Sequence, residues 1–267
     1  MKYTFALIGA GNMGGAIAQA VSKTVKDGAL VDRNQARAQT LAEDLGFAAV
    51  TQEEACRESR YLFLGVKPHL IKGVLSGIAP ILEKRETSPV LVSMAGGVTL
   101  AQIESALEGI RCPIIRIMPN TPVSVGQGVV LYAMTEDVTD QMEQEFLTIM
   151  GQAGKLYPID EDLMDVGTAV SGCGPAYAYL VLDAMADGGV ACGLPRADAV
   201  RYAAQTLLGA AQMVLETGKH PDQLKNEVCS PGGSTIQGVR TLEQRAVRAA
   251  LMDAVIAACD KNASLGK

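Results

Sequence analysis

Gly9, Gly11 and Gly14 stand in the spacing G-x-G-x-x-G directly after the apolar run Phe5-Ala6-Leu7-Ile8, and small apolar residues at helical spacing follow them. That order predicts a strand, a tight turn and the start of a helix. In such a turn the first glycine reverses the chain, the second admits a pyrophosphate to the backbone, and the third lets the helix pack on the strand. The helix then aims free N–H groups and its positive dipole end at phosphate. The chemistry on offer is dinucleotide binding.

A second constellation lies near the other end, Cys229-Ser230-Pro231-Gly232-Gly233-Ser234-Thr235-Ile236. Two glycines followed by Ser-Thr at a predicted helix start offer several backbone N–H groups and two hydroxyls to one anion, such as a carboxylate. An ordinary glycine turn with a serine cap is the plainer account. Set beside the N-terminal fingerprint, the substrate reading is preferred.

Between them, Ala29 to Val31 reads as a short buried strand ending in Asp32-Arg33-Asn34. An acidic residue at that position accepts from a ribose 2′-hydroxyl, whereas an arginine accommodates a 2′-phosphate. Asp32 speaks for NAD(H) and Arg33 for NADP(H), so the residues leave the choice open, and both could instead be solvated turn residues. Three further segments follow strands: Val66-Lys67-Pro68, Ala95-Gly96-Gly97 and Met118-Pro119-Asn120-Thr121-Pro122. Proline pre-shapes the first and last of these loops. The Asn120 amide suits a nicotinamide carboxamide or the stabilisation of its own turn. Lys67 fits a phosphate, carboxylate or solvent contact better than proton transfer.

The elements that must carry these residues alternate. Strands are predicted at Tyr61–Val66, Val90–Met94 and Ile114–Met118, with helices at Gln35–Leu45, Leu70–Leu82 and Leu100–Leu107, Gly46 closing the first of these helices. Gly128–Met134 and Lys155–Ile159 read as the last strands, around a helix from Thr139 to Met150. Such alternation implies a doubly wound parallel sheet. From Leu163 to Ala263 only Ala-rich helical patterns occur, with helices expected over Ala176–Gly189, Arg196–Thr217 and Ser234–Lys261. The predicted fold is therefore α/β: a Rossmann-type parallel sheet over 1–160, then an all-α region over 161–267. The helices of that second half carry little polar surface, which calls for a partner subunit.

Composition narrows the classes. The chain has 267 residues, enough for two domains with proper cores, a net charge of −6 without a basic block, no Trp and 4% aromatics, which disfavours nucleic-acid binding. Six cysteines without a C-x-x-C pair suggest reduced thiols in a cytoplasmic protein, and His69 and His220 are far apart, so no metal site is expected. Lys2, the apolar stretch after it and Ala18-Gln19-Ala20 mimic a signal peptide, but cleavage there would remove the phosphate turn. No apolar run is long enough to span a bilayer.

Taken in order, Gly9-Ala10-Gly11-Asn12-Met13-Gly14, Val66-Lys67-Pro68, Met118-Pro119-Asn120-Thr121-Pro122, Ser171-Gly172-Cys173-Gly174-Pro175-Ala176-Tyr177 and Ser230-Pro231-Gly232-Gly233-Ser234-Thr235-Ile236 resemble the motif series of the pyrroline-5-carboxylate reductases. The resemblance implies NAD(P)H-dependent reduction of 1-pyrroline-5-carboxylate to L-proline, with NADP(H) favoured and NAD(H) admissible. It also implies a homodimer, often assembled into a decamer. Gly11, Asn12 and Met13 would meet the pyrophosphate, while Val66, Lys67, Pro68 and Asn120 would line the cofactor. Ser230, Gly232, Gly233, Ser234 and Thr235 would bind the substrate, and the Thr235 hydroxyl would assist protonation of the ring nitrogen. This chain departs from the family at Cys173, commonly Ser or Ala, at Ser234, commonly Thr or Ala, and at Asp32, whose charge opposes a 2′-phosphate. A β-hydroxyacid dehydrogenase needs a catalytic lysine in the helical half, and there is none between Lys155 and Lys219. A non-catalytic dinucleotide sensor would have no use for the Ser230 to Ile236 loop.

Overall fold

The computed structural model describes residues 1–265; residues 266 and 267, the end of the predicted helical half, lie outside them. The chain opens as expected, with β1 (Tyr3–Ile8), α1 (Asn12–Val21), β2 (Gly28–Val31) and α2 (Gln35–Leu45). Asn34 caps α2 by accepting from the Arg37 amide, and Gly46 closes it at φ 70°. There follow β3 (Ala48–Ala49), α3 (Gln52–Glu58), β4 (Ser59–Leu64), α4 (Pro68–Leu82), β5 (Val90–Ser93), α5 (Leu100–Ala106) and β6 (Ile114–Pro119). After a 3-10 turn come β7 (Gly128–Met134), α6 (Asp140–Met150), β8 (Gly154–Pro158) and α7 (Met164–Ser171).

These strands make one eight-stranded sheet in the order β3-β2-β1-β4-β5-β6-β7-β8. Both faces are covered. On one, Leu62, Leu64, Leu91 and Ile114 pack with Leu75 of α4 and Ile103 of α5. On the other, Phe5, Phe63 and Ile117 meet Ile17 of α1 and Phe146 of α6. Strand order reverses between β1 and β4, and ligands in such sheets bind beyond the carboxyl ends of the strands at that reversal.

The sheet is not wholly parallel, as the alternation implied. β7 runs antiparallel to β6, with Ile115 opposite Met134 and Pro119 opposite Val130. The reason is the short link between them, which holds only a 3-10 turn over Thr121–Val125; a parallel return needs a crossover of a dozen residues or more. A buried ion pair fixes the far side of β6. Arg116 donates to the Glu161 carboxylate at 2.8 Å, and the same oxygen accepts from the Leu100 amide at 2.8 Å, tying β6 to the head of α5.

Residues 1–172 with 259–265 form one compact unit and residues 173–258 a second. The second is helical: α8 (Gly174–Ala191), α9 (Arg196–Thr217), α10 (Pro221–Val228), α11 (Ser234–Gln244) and the start of α12 (Val247–Leu265). The single helix predicted over Ser234–Lys261 is broken in two. Ala246 takes φ 55° between α11 and α12, a left-handed conformation that ends a helix whatever residue adopts it.

Candidate dinucleotide and substrate sites

The glycine-rich turn sits at the reversal of the sheet. Gly9 has φ 102°, and a Cβ there would fall 2.8 Å from the Gly65 carbonyl; a Cβ on Gly14 would fall 2.1 Å from the Gly9 oxygen. A Cβ on Gly65 would likewise meet the Gly9 oxygen at 2.6 Å. Three backbones therefore touch where β1, α1 and the end of β4 converge, and only glycine fits. Gly65 was missed in the sequence because nothing marks it except its place after an apolar strand. Gly11, by contrast, faces open space, with nothing within 4 Å of its notional Cβ. It precedes α1, whose start has neither a side-chain cap nor an acidic residue in its first turn. The amides there are left for an anion.

A cleft of about 1070 Å³ opens beside the turn. Of the predicted cofactor residues its wall contains Gly9, Gly11, Asp32, Arg33, Val66 and Lys67. Asn12 is exposed, Met13 half-buried and Gly14 buried beneath the turn, none of them on that wall; nor are Pro68, the first residue of α4, and Asn120. The open space at Gly11, the tight glycine contacts and the cleft volume fit a dinucleotide. Sequence reasoning also missed Arg37, Val50, Leu70 and Val74 on the wall. The turn Asp32-Arg33-Asn34 before an amphipathic helix was the available signal for Arg37.

Asp32 is half-buried, and each of its oxygens accepts a hydrogen bond. One carboxylate oxygen accepts from the Ala10 amide at 2.8 Å and the other from the Asn34 amide at 2.8 Å. Arg33 and Lys67 are exposed. Asn120 has 7% of its surface exposed. Its Nδ2 donates to the Ser171 carbonyl at 2.9 Å and its Oδ1 accepts from the Val129 amide at 2.9 Å. The side chain thus ties the loop after β6 to β7 and to the end of α7.

In the helical unit, Gly232 takes φ 71° and a Cβ on Gly233 would fall 2.5 Å from the Ser230 hydroxyl. The Gly233 amide donates to the Ser230 carbonyl at 3.1 Å, closing a turn. Gly233 is the N-cap of α11, which has neither a side-chain cap nor an acidic residue in its first turn. Ser230, Gly232, Ser234 and Thr235 are exposed. Local folding thus leaves the head of α11 without a side-chain cap, beside exposed Ser234 and Thr235. The serine of the Ser171 motif does not cap α8: its hydroxyl donates to the Gly167 carbonyl at 2.9 Å, and Cys173 occupies the N-cap position. Tyr177, one turn on, donates to the Ala254 carbonyl at 3.3 Å. Burial and the neighbouring Cys173 push its phenol upward, so it stays protonated. Among the described residues no group of His, Cys, Asp and Glu is placed to hold a metal, and no helix is long and apolar enough to cross a membrane.

The fold and the glycine turn define an NAD(P)-binding oxidoreductase. Residues 4–97 match a family described as NADP oxidoreductase coenzyme F420-dependent, and residues 161–265 match one described as pyrroline-5-carboxylate reductase dimerisation. The soybean (Glycine max) pyrroline-5-carboxylate reductase is 40% identical over 99% of this chain and 96% of its own. Among solved structures, a pyrroline-5-carboxylate reductase from Coxiella burnetii superposes with a TM-score of 0.90 at 32% identity, covering all of both chains. The Plasmodium falciparum pyrroline carboxylate reductase with NADP bound gives 0.85 at 30%, again over all of both chains. This chain belongs to the pyrroline-5-carboxylate reductase family.

Proposed function

We propose that the protein reduces the C=N bond of 1-pyrroline-5-carboxylate to give L-proline, with NADP(H) as the preferred cofactor and NAD(H) a poorer one. The observation that carries this reading is the glycine contact among Gly9, Gly14 and Gly65 at the sheet reversal, in a chain 40% identical to a soybean reductase of that name. NADP bound in the Plasmodium relative supports the cofactor choice. Residues 1–160 serve the dinucleotide; residues 161–267 serve the substrate and the homodimer contact, and dimers associate into a decamer in the cytoplasm.

A cyclic imine, once protonated, is electrophilic at carbon, so the chain has to position it more than activate it. Bound in the cleft, a reduced nicotinamide supplies the hydride. Gly11, Asn12 and Met13 would hold the pyrophosphate with backbone amides, and Val66 and Lys67 would form the wall toward the nicotinamide, with Pro68 fixing the backbone just behind them at the start of α4. Asn120, with its carbonyl and one N–H already engaged, acts by fixing the loop after β6. The amides of Gly233, Ser234 and Thr235 hold the substrate carboxylate, Gly232 lets the loop turn, and Ser230 shapes it from beneath Gly233. The Thr235 hydroxyl donates to the ring nitrogen and assists its protonation.

The test is initial-rate oxidation of NADPH and of NADH, in parallel, with 1-pyrroline-5-carboxylate. Turnover with either cofactor is expected, faster at equal concentration with NADPH. No turnover with either overturns the reading and leaves a dinucleotide sensor, which would also show no thermal protection by proline.

A further inference from the structure

The charged side chains on the wall of the dinucleotide cleft are Asp32, Arg33, Arg37, Glu54 and Lys67. Both acids are also tied to other groups of the chain. Asp32 spends one oxygen on the Ala10 amide and the other on the Asn34 amide. The Glu54 carboxylate takes a bond from Lys2 at 2.9 Å and from Tyr3 at 2.8 Å, and these two donors hold it below the usual carboxylate range. The cations are free. Among the described residues Arg33, Arg37 and Lys67 form no ion pair, and all three are exposed on the cleft wall. The wall thus offers three exposed cations without a counter-charge, which suit an additional phosphate, while Asp32 keeps its charge but directs both oxygens at backbone amides.

We propose that Arg37 reads the ribose 2′-phosphate together with Arg33, and that Asp32 is a positioning residue for the glycine-rich turn. The proposal rests on the dinucleotide reading above and deepens it. Ala10 lies inside the turn, between Gly9 and Gly11, so the bond from its amide to Asp32 pins the loop against the end of β2. The second bond, to Asn34, pins the residue that caps α2, and Asn34 in turn accepts from the Arg37 amide at 3.2 Å. One carboxylate thereby sets the position of the phosphate turn and the root of Arg37. An acidic residue that would disfavour a 2′-phosphate if it faced the ribose has both oxygens turned onto the backbone, and Arg33 and Arg37 stand on the same cleft wall.

Titration calorimetry on the full chain with adenosine 2′,5′-bisphosphate and with 5′-AMP tests this without the imine chemistry. The bisphosphate is expected to bind at least about tenfold tighter. Arg37→Gln weakens it about tenfold, the worth of one charge-assisted contact, and leaves 5′-AMP within about twofold. Asp32→Asn loses one acceptor and weakens both ligands by the same factor; in turnover it raises KM for NADPH and NADH alike while kcat holds within about twofold. Equal binding of the two ligands, or an Arg37→Gln loss shared by both, overturns the proposal for Arg37. Asp32→Asn that tightens the bisphosphate while weakening 5′-AMP overturns it for Asp32, since that pattern belongs to a ribose reader. If neither nucleotide binds, the dinucleotide reading itself fails with it.

Discussion

Gly11 and Gly14 separate function from fold within one turn. A methyl group at Gly14 would sit 2.1 Å from a backbone oxygen, which has no rotamer to move aside, whereas one at Gly11 meets nothing within 4 Å. Gly14→Ala is expected to lower stability by about 1–3 kcal/mol, the usual range for overpacking, and to abolish dinucleotide binding with it. Gly11→Ala keeps stability within about 0.5 kcal/mol, because its φ of −71° suits any residue, yet lowers dinucleotide affinity at least about tenfold. Urea denaturation and calorimetry on both variants check the contrast. At the other site Thr235 is exposed in the first turn of α11, and its hydroxyl makes no hydrogen bond within the described residues. Thr235→Ala should therefore leave the fold intact, lower kcat by about a hundredfold or more and leave KM for NADPH unchanged, while Thr235→Ser keeps most of the turnover. An unaltered kcat in Thr235→Ala removes the hydroxyl from the mechanism.

Elements hold these residues through a few polar ties, and the Arg116–Glu161 pair is the one most deeply set. The Arg116 side chain has 4% exposure and Glu161 has 26%. Glu161→Gln still accepts from the Leu100 amide but leaves a buried guanidinium without its counter-charge. The expected cost is about 2–4 kcal/mol, read from the denaturation midpoint, below the upper range for a broken buried pair because water reaches the glutamate. Adding Arg116→Met, which removes the stranded charge at similar length, should recover much of that loss. Neither residue was legible as a pair. Their separation of 45 positions hides the contact, and Glu161 lies in the polar stretch that marks the change in composition near residue 160. The strands and helices with a strong apolar period were legible within a residue or two, as were the tight turn at Gly9 and the close packing at Gly14. α3 was not, because Gln52–Glu58 buries only Ala55 and Cys56, though Thr51 with Glu54 three residues on was a readable start signal. Nor was the direction of β7, which is set by the length of a link. The break at Ala246 has no glycine or proline to announce it. At the site, sequence placed the turn and the Ser230 loop but not the partners of Asp32 and Asn120, since hydrogen bonds to distant backbone leave no local pattern.

On the scale of the whole molecule the two units are unequal. The α/β unit buries its sheet on both faces, whereas between residues 173 and 258 the buried apolar side chains are Ala186, Ala199 and Ala203 alone. Large apolar groups there lie in the open: Tyr179 and Leu180 on α8, Leu208 and Leu215 on α9, Met252 and Ile256 on α12. Burying one leucine is worth about 1.5–3 kcal/mol, so helices that leave so many exposed gain substantially from a partner surface. A second copy of the chain is the expected cover, since residues 161–265 match a dimerisation family. Leu180 has 70% of its surface exposed in the single chain. Leu180→Glu would place a charge in the completed core, and the cost of burying it unpaired exceeds what the remaining contacts there can offset. The variant is expected to elute from size exclusion at the mass of one chain, to lose turnover, and to lose part of its helical circular dichroism. It should still bind NADPH within about twofold of the parent, since the cleft is built wholly from residues 8–74. A Leu180→Glu protein that stays dimeric and active would show that the exposed faces of α8 are not what a partner covers; a loss of NADPH binding would show that the α/β unit depends on the dimer for its own fold.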